Sequence, residues 1–186
     1  MKTMKFAVRS LFAVFLMLAF TSCGQDGSNE SDSGSKVANG TSENGGSENA
    51  DLSFGEESVT MIVNAYMPLK DALVETDGQK AQNAAKELLS VLEKSQGELV
   101  GKLKFDAGTI AGTADTEIQR ESFEYLSDNL YALVESSDKT SGMLYRQYCP
   151  MAKNNQGAYW LSTSSEIMNP YFGDQMLHCG KVTEEI

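Results

Sequence analysis

Residues 24–57 contain very few apolar side chains, and this stretch most constrains how the chain folds. It consists mainly of Gly, Ser, Asn, Asp and Glu, with eight acidic residues against one basic residue. Such a segment cannot bury enough apolar surface to offset the conformational entropy lost on folding. With Cys23 in front of it, it is therefore predicted to be a solvated tether. The single folded domain is then predicted in residues 58–186, which suffice for one modest core.

The segment before the tether, residues 1–22, is typical of a secretory signal peptide. Three basic residues precede the apolar run LFAVFLMLAF, which is too short to cross a bilayer, since a crossing takes about 20 residues. The small residues before Cys23 resemble a bacterial lipobox. We therefore expect Cys23 to be lipidated and to become the mature N-terminus, anchored to the membrane by its acyl chains. The alternative is an ordinary cleaved signal that happens to contain a cysteine.

The charge of the chain excludes one class of partner. The formal net charge is −11, and it becomes −14 when the three basic residues of the signal are removed. Nucleic acids and anionic lipid surfaces are bound through basic patches that displace counterions. We therefore expect no nucleic acid among the partners.

Three stretches have apolar residues at the three-and-four spacing of a helix face: residues 57–77, 79–94 and 115–138. In the third stretch, Asp115 is suited to be the N-cap, and Ile118 is predicted on the apolar face. Each stretch is long enough for a helix of three turns or more. The pattern therefore predicts a short up-and-down helical bundle.

The segments around these helices are less regular. Pro68 should bend the first helix, and Gly78 is predicted to close it. Residues 97–105 favour a short helix, and the glycines of residues 106–114 favour a loop. After Lys139 the sequence predicts an irregular segment with short strands that packs on the bundle. The predicted fold class is therefore mainly α with this C-terminal addition.

Two cysteines of the C-terminal segment each have a methionine nearby. Met151 follows Cys149 by two residues, and Met176 precedes Cys179 by three, with His178 between them. An extended stretch at the first pair and a helical turn at the second would point each sulfur pair to one side. Thiolate, thioether and imidazole are the ligands that soft metal ions prefer. Cys149, Met151, Met176 and Cys179 are therefore candidate ligands of copper(I) or silver(I), with His178 a weaker candidate.

The same residues have a second interpretation. In an oxidising compartment Cys149 and Cys179 would form a disulfide, and closing a loop of about 30 residues stabilises a small domain by ~3 to 4 kcal/mol. The methionines would then fill core gaps. Zinc is disfavoured because thioether is not among its usual ligands. The two interpretations are compatible if the two cysteines bind metal when they are reduced and form the disulfide when they are oxidised.

Three longer stretches, AYMPLKDALVETDGQKAQNAAKELL, QRESFEYLSDNLYALV and YCPMAKNNQGAYWLSTSSEIMNPYFGDQMLHCG, together resemble a domain of unknown function from Gram-negative bacteria. The resemblance covers roughly residues 58–183. That family occurs as a free lipoprotein and as a C-terminal extension on periplasmic adaptor subunits of copper/silver-type efflux pumps. The resemblance implies a helical domain and a link to heavy-metal efflux. Other members carry a histidine at the position of Arg146, so a metal site in this chain would depend on sulfur.

Two functions follow as expectations. The first is a lipid-anchored envelope module, at the outer membrane on its periplasmic face or at the cell surface, which binds copper(I) or silver(I) or passes it to an efflux adaptor. The second is an envelope interaction domain without metal, held by the Cys149–Cys179 disulfide. No enzymatic activity is expected, because Cys149 and His178 lack a third orienting residue and an oxyanion motif.

Overall fold

The structure, a computed structural model, describes residues 52–186. Four helices form a bundle, and short strands pack on it. The elements in chain order are β1 (Ser53–Phe54), α1 (Glu57–Val74), α2 (Gly78–Leu92), α3 (Glu98–Ala111), α4 (Thr116–Glu135), β2 (Lys139–Ser141), β3 (Tyr145–Cys149), α5 (Ala152–Asn155), β4 (Ala158–Ser162), a 3-10 turn (Gly173–Gln175) and β5 (Lys181–Glu185). The predicted mainly helical fold with short C-terminal strands is confirmed.

Helices α1 and α2 pack against each other through their apolar faces. Pro68 lies inside α1 and does not end it. Gly78 begins α2 and does not close α1, contrary to the prediction. Asp77 caps α2 by accepting a hydrogen bond from the Lys80 N–H (2.9 Å). A Cβ at Gly78 would lie 1.9 Å from the Ala114 carbonyl oxygen, so glycine lets the start of α2 contact the α3–α4 loop.

Helix α3 is longer than predicted. The glycines of residues 106–114 favour a loop, but α3 continues to Ala111. Glycine in a helix interior costs about 1 kcal/mol relative to alanine. Each fully buried aliphatic side chain contributes about 1.5 to 3 kcal/mol, which outweighs that cost. The loop prediction is wrong because a buried face continues through it, formed by Val100, Leu103, Ala107 and Ile110.

Helix α4 begins at its predicted N-cap. The Asp115 carboxylate accepts hydrogen bonds from the N–H groups of Glu117 (2.9 Å) and Ile118 (3.4 Å). Ile118 itself is 45% exposed, so its predicted place on the apolar face is wrong. The neighbouring Gln119 is buried instead, and its amide donates to the Gly78 carbonyl oxygen (2.9 Å). A polar side chain therefore holds the first turn of α4 against the start of α2.

The C-terminal strands form an antiparallel sheet in the order β4-β3-β5, and β4 packs against α4. Strands β1 and β2 pair separately. In the register of β3 with β4, Tyr145 lies opposite Ser162 and Cys149 lies opposite Ala158. The alternation of strand side chains places Gln147 and Cys149 on the buried side. One of the two cysteines is thus fixed at the end of the central strand.

The folded domain begins before residue 58. Phe54 in β1 is 5% exposed and belongs to the hydrophobic core. Its N–H donates to Thr60 Oγ1 of α1 (2.9 Å). Residues 52–57 are therefore part of the domain. The predicted boundary is late because one phenylalanine in a polar segment produces no periodic signal.

Arg120 of α4 joins the C-terminal segment to the helices. Its guanidinium donates to the carbonyl oxygens of Pro170 (2.9 Å) and Leu73 (3.2 Å), and to Thr76 Oγ1 (3.0 Å). Glu117 accepts from the same group at 3.3 Å. Arg120 is almost buried, and these bonds offset the desolvation of its charge.

Aromatic side chains join the helical bundle and the C-terminal sheet in one hydrophobic core. The rings of Tyr66 and Phe123 stack with centroids 5.2 Å apart. Tyr171 contacts Phe123 and Trp160 edge-on, at 5.8 and 6.1 Å. The Tyr66 hydroxyl also accepts a hydrogen bond from the Leu161 N–H in β4 (3.3 Å). The C-terminal segment is therefore an integral part of the domain.

Residues 1–51 lie outside the described residues. The signal peptide, the lipidation of Cys23 and the tether up to residue 51 therefore stay predictions. Within residues 52–186, none of the helices combines the length and apolar character needed to span a bilayer.

Two truncations test where the domain begins. Removing residues 24–51 is expected to leave the free energy of unfolding unchanged. Removing residues 24–57 should lower it by about 3 kcal/mol or more, because the buried Phe54 ring is lost. Urea unfolding followed by circular dichroism measures both. A Phe54→Leu variant of the full chain is the conservative control, with an expected loss under about 1.5 kcal/mol. Equal stability of the two truncations would contradict this placement of Phe54.

Candidate functional site

Cys149 lies at the end of β3 and is completely buried, at 0% exposure. Two residues earlier, on the same side of the strand, Gln147 Nε2 donates to the carbonyl oxygens of Ser164 (2.8 Å) and Glu166 (3.1 Å). These bonds attach the loop after β4 to the strand. Since that loop leads to Cys179, Gln147 helps to set where the second cysteine lies.

Cys179 lies in the loop before β5 and is positioned by Asn169. Asn169 is completely buried, and its Nδ2 donates to the Cys179 carbonyl oxygen (2.8 Å). Its Oδ1 accepts from the Tyr171 N–H (2.8 Å), and its own N–H donates to the Leu177 carbonyl oxygen (2.8 Å). The sequence does not reveal this role, because the Asn-Pro dipeptide signals only a turn and not the partners across the loop.

The structure brings the two cysteines into contact. Their Sγ atoms are 2.8 Å apart and both thiols are free. The S–H···S hydrogen bond with Cys149, together with burial, raises the pKa of the Cys179 thiol, and a hydrogen bond from the Met151 backbone N–H opposes this shift. Cys179 is therefore protonated at neutral pH in the reduced protein. The small separation also means that little movement is needed to reach the disulfide bond length of about 2.05 Å.

Gly180 allows Cys179 to approach β3 this closely. Its φ is +148°, a backbone conformation that residues other than glycine rarely adopt. A Cβ at this position would lie 2.9 Å from the Tyr148 carbonyl oxygen and 3.0 Å from Trp160 Cη2. Any larger residue would push the Cys179 loop away from the strand.

Met151 and Met176 line one open pocket of about 460 Å³ next to the cysteines. Because β3 ends at Cys149, Met151 does not have the predicted extended conformation, and it is 46% exposed. Met176 follows the 3-10 turn, and its carbonyl oxygen accepts from the Cys179 N–H (3.0 Å). The cysteines do not line this pocket. The four predicted ligands therefore form two pairs, the cysteines in contact with each other and the methionines at the pocket.

His178 is exposed, and its Nδ1 lies 2.9 Å from the Ile167 carbonyl oxygen. Within residues 52–186, no three His, Cys, Asp or Glu side chains form a group suited to a metal ion. The methionine thioethers belong to a different class of ligand. A site at the cysteines would therefore consist of sulfur atoms.

Arg146 has a structural role. Its guanidinium lies between the rings of Tyr131 (3.6 Å to the centroid) and Tyr159 (4.1 Å). Such stacking favours a planar cation. Trp160 is completely buried in the core.

Comparison with known proteins gives one similarity. The family described as "Protein of unknown function (DUF3347)" matches residues 62–142, from α1 to just past β2. This part of the chain is thus similar to a domain of unknown function. No curated protein and no solved structure matches the chain. All four candidate sulfur ligands lie beyond the matched residues.

Two glycine substitutions with opposite expected effects test this geometry. Gly180→Ala should lower the free energy of unfolding of the reduced protein by about 1 to 3 kcal/mol, because the new methyl group is both strained and crowded. Gly108→Ala, in α3, has open space around its Cβ and should raise the stability by about 0.5 to 1 kcal/mol. Urea unfolding measures both. A gain of stability in Gly180→Ala would contradict the close approach of Cys179 to β3.

Proposed function

We propose that this chain is a lipid-anchored envelope protein that binds one soft monovalent ion, copper(I) or silver(I). The thiolates of Cys149 and Cys179 would hold the ion, and the thioethers of Met151 and Met176 would serve as further donors. The observation that carries this proposal is the contact of two free thiols beside a pocket lined by two methionines.

The donor set fits such an ion. Soft d¹⁰ ions prefer thiolate and thioether ligands. With metal–sulfur bonds of about 2.3 Å, two sulfurs on one ion lie at most about 4.6 Å apart. The pair must therefore open by up to roughly 2 Å from its present contact. Cys179 is the partner that would have to move, because it lies in a loop and is only partly buried, whereas Cys149 is completely buried at the end of β3. The Met151 N–H beside Cys179 would stabilise the thiolate that forms.

The proposed binding step involves no electron transfer, and its bonds and charges balance. The two S–H bonds release their protons to solvent, and two metal–sulfur bonds replace them. The ion enters and leaves as a monovalent cation, so it is cargo. Passing it to a periplasmic efflux adaptor is part of the proposal, and this step rests on the sequence resemblance described above.

Competition for copper(I) tests the proposed site. The mature chain with Cys23→Ser, reduced and without oxygen, is titrated against a coloured copper(I) chelator. Cys149→Ser is expected to weaken binding by about 100-fold or more, since a thiolate is lost. Met176→Leu should weaken it by at most about threefold. Met61→Leu, an exposed methionine of α1, is the matched control and should change nothing. Equal and negligible affinity in all four proteins would overturn the metal proposal.

The second candidate is an envelope interaction domain held by a Cys149–Cys179 disulfide. The observation that favours it is the 2.8 Å separation, which is shorter than the distance between two sulfurs on one ion. A disulfide closing about 30 residues would stabilise the domain by ~3 to 4 kcal/mol. In that case the protein purified from the envelope would be oxidised, and its reduced form would not bind copper(I).

The lipid anchor is proposed from the sequence, since Cys23 lies outside the described residues. Expression of the full chain in a host that processes lipoproteins should yield a mature protein that begins at Cys23. Mass spectrometry of the N-terminal peptide should show the mass of two or three acyl chains. A Cys23→Ala variant should lose this modification and its membrane attachment. Recovery of the unaltered protein in soluble form, beginning at another residue, would exclude the anchor.

A further inference from the structure

We propose that the pocket lined by Met151 and Met176 is the entrance through which the ion reaches Cys149 and Cys179. The two thioethers would be its first, transient ligands. This inference rests on the proposed function and assigns a step to residues within it. It predicts that the methionines control the rate of loading more than the final affinity.

The depth of Cys149 favours such an entrance. Cys149 has no exposed surface, whereas Cys179, which is in contact with it, is only partly buried. An ion can therefore bind both sulfurs only after Cys179 has moved away from Cys149. Met151, by contrast, is 46% exposed. A thioether does not titrate, so it can receive the ion before either thiol has lost its proton.

Both methionines are connected to Cys179 through the backbone. The Met151 N–H contacts Cys179 Sγ, and the Met176 carbonyl oxygen accepts the Cys179 N–H. An ion bound between the two thioethers would therefore lie next to the cysteine that has to move. Transfer inward needs only a local shift of the loop that carries Cys179.

The charges at the pocket favour a cation. The two basic residues that line it are already engaged: Arg120 by the oxygens described above, and Lys153 by Glu124. Glu121 also lines the pocket; it is exposed and forms no ion pair with a base in residues 52–186. Glu117 pairs with Arg120, so three carboxylates face two bases at the pocket and the local field favours the arrival of cations.

The wall of the pocket is fixed in shape. Lys153, Asn154 and Asn155 have positive φ values of 53°, 55° and 68° in succession. Such a conformation costs free energy for residues other than glycine, although asparagine adopts it most readily. The ion pair between Lys153 and Glu124 attaches this turn to α4. Met151 therefore precedes a turn whose conformation is held by its attachment to α4.

Loading kinetics separate this role from that of permanent ligands. The mature chain with Cys23→Ser, reduced and without oxygen, is mixed in a stopped-flow instrument with the copper(I)–bicinchoninate complex, and the loss of its colour is followed. A transient ligand lowers the free-energy barrier to loading of the ion and to its release by the same amount, so it changes the rates and not the Kd. The Met151→Leu/Met176→Leu variant should therefore load about tenfold more slowly or worse, with a Kd within about threefold of wild type after equilibration.

A charge variant provides a second readout. The probe here is free silver(I), a monovalent cation, and loading is followed by the ultraviolet absorption of the metal–thiolate bonds. Glu121→Gln should slow loading by about two- to threefold at low salt, and the difference should vanish in concentrated sodium nitrate. Met61→Leu and Glu87→Gln, on exposed surface away from the pocket, are matched controls and should load as wild type does.

The outcomes distinguish the two proposals. Slow loading with preserved affinity supports the entrance. Wild-type loading rates in the double methionine variant, or a weaker affinity caused only by faster release, would overturn the entrance and leave the metal site intact. Failure of the wild-type protein itself to take copper(I) from the complex would overturn both.

Discussion

The hydrogen bonds of Arg120 are the interaction on which the rest of the structure depends. One guanidinium connects the end of α1, the start of α4 and the Pro170 turn, through three neutral oxygens. The turn next to it is closed by Gly173, whose φ is +54° and whose Cβ would lie 2.2 Å from Thr76 Oγ1. A buried guanidinium is costly unless its donors are satisfied, so this group specifies one arrangement of the segment that leads to Cys179.

The cysteine contact is a consequence of that arrangement. Cys149 is fixed by strand pairing, and Cys179 is fixed by Asn169, Gly180 and the docking of the loop on the bundle. The disulfide and the metal site both use this contact, so they exclude each other at any moment. Oxidation to the disulfide removes two electrons and two protons and would be carried out by thiol–disulfide exchange with a disulfide partner in the envelope. The reduced pair is the form that the metal proposal requires.

The helices were predictable because their apolar faces repeat over three or more turns, and Asp115 is a well-defined cap. The C-terminal half of α3 and strand β1 were missed for physical reasons. The glycines of α3 obscure a buried face, and Phe54 is a single apolar residue that finds its pocket only in the folded domain. At the site, unusual residue types identify Cys149 and Cys179 as candidates. The residues that bring them together, Arg120 and Asn169, are ordinary polar residues whose partners lie far away in the sequence.

The most direct test of the proposed site is copper K-edge X-ray absorption of the reduced chain loaded with copper(I). We expect a first coordination shell of sulfur alone, with bonds of about 2.3 Å as in other metal–thiolate sites, and we expect this shell to be disrupted in Cys149→Ser. A shell dominated by nitrogen or oxygen, or a sulfur shell unchanged by Cys149→Ser, would contradict it.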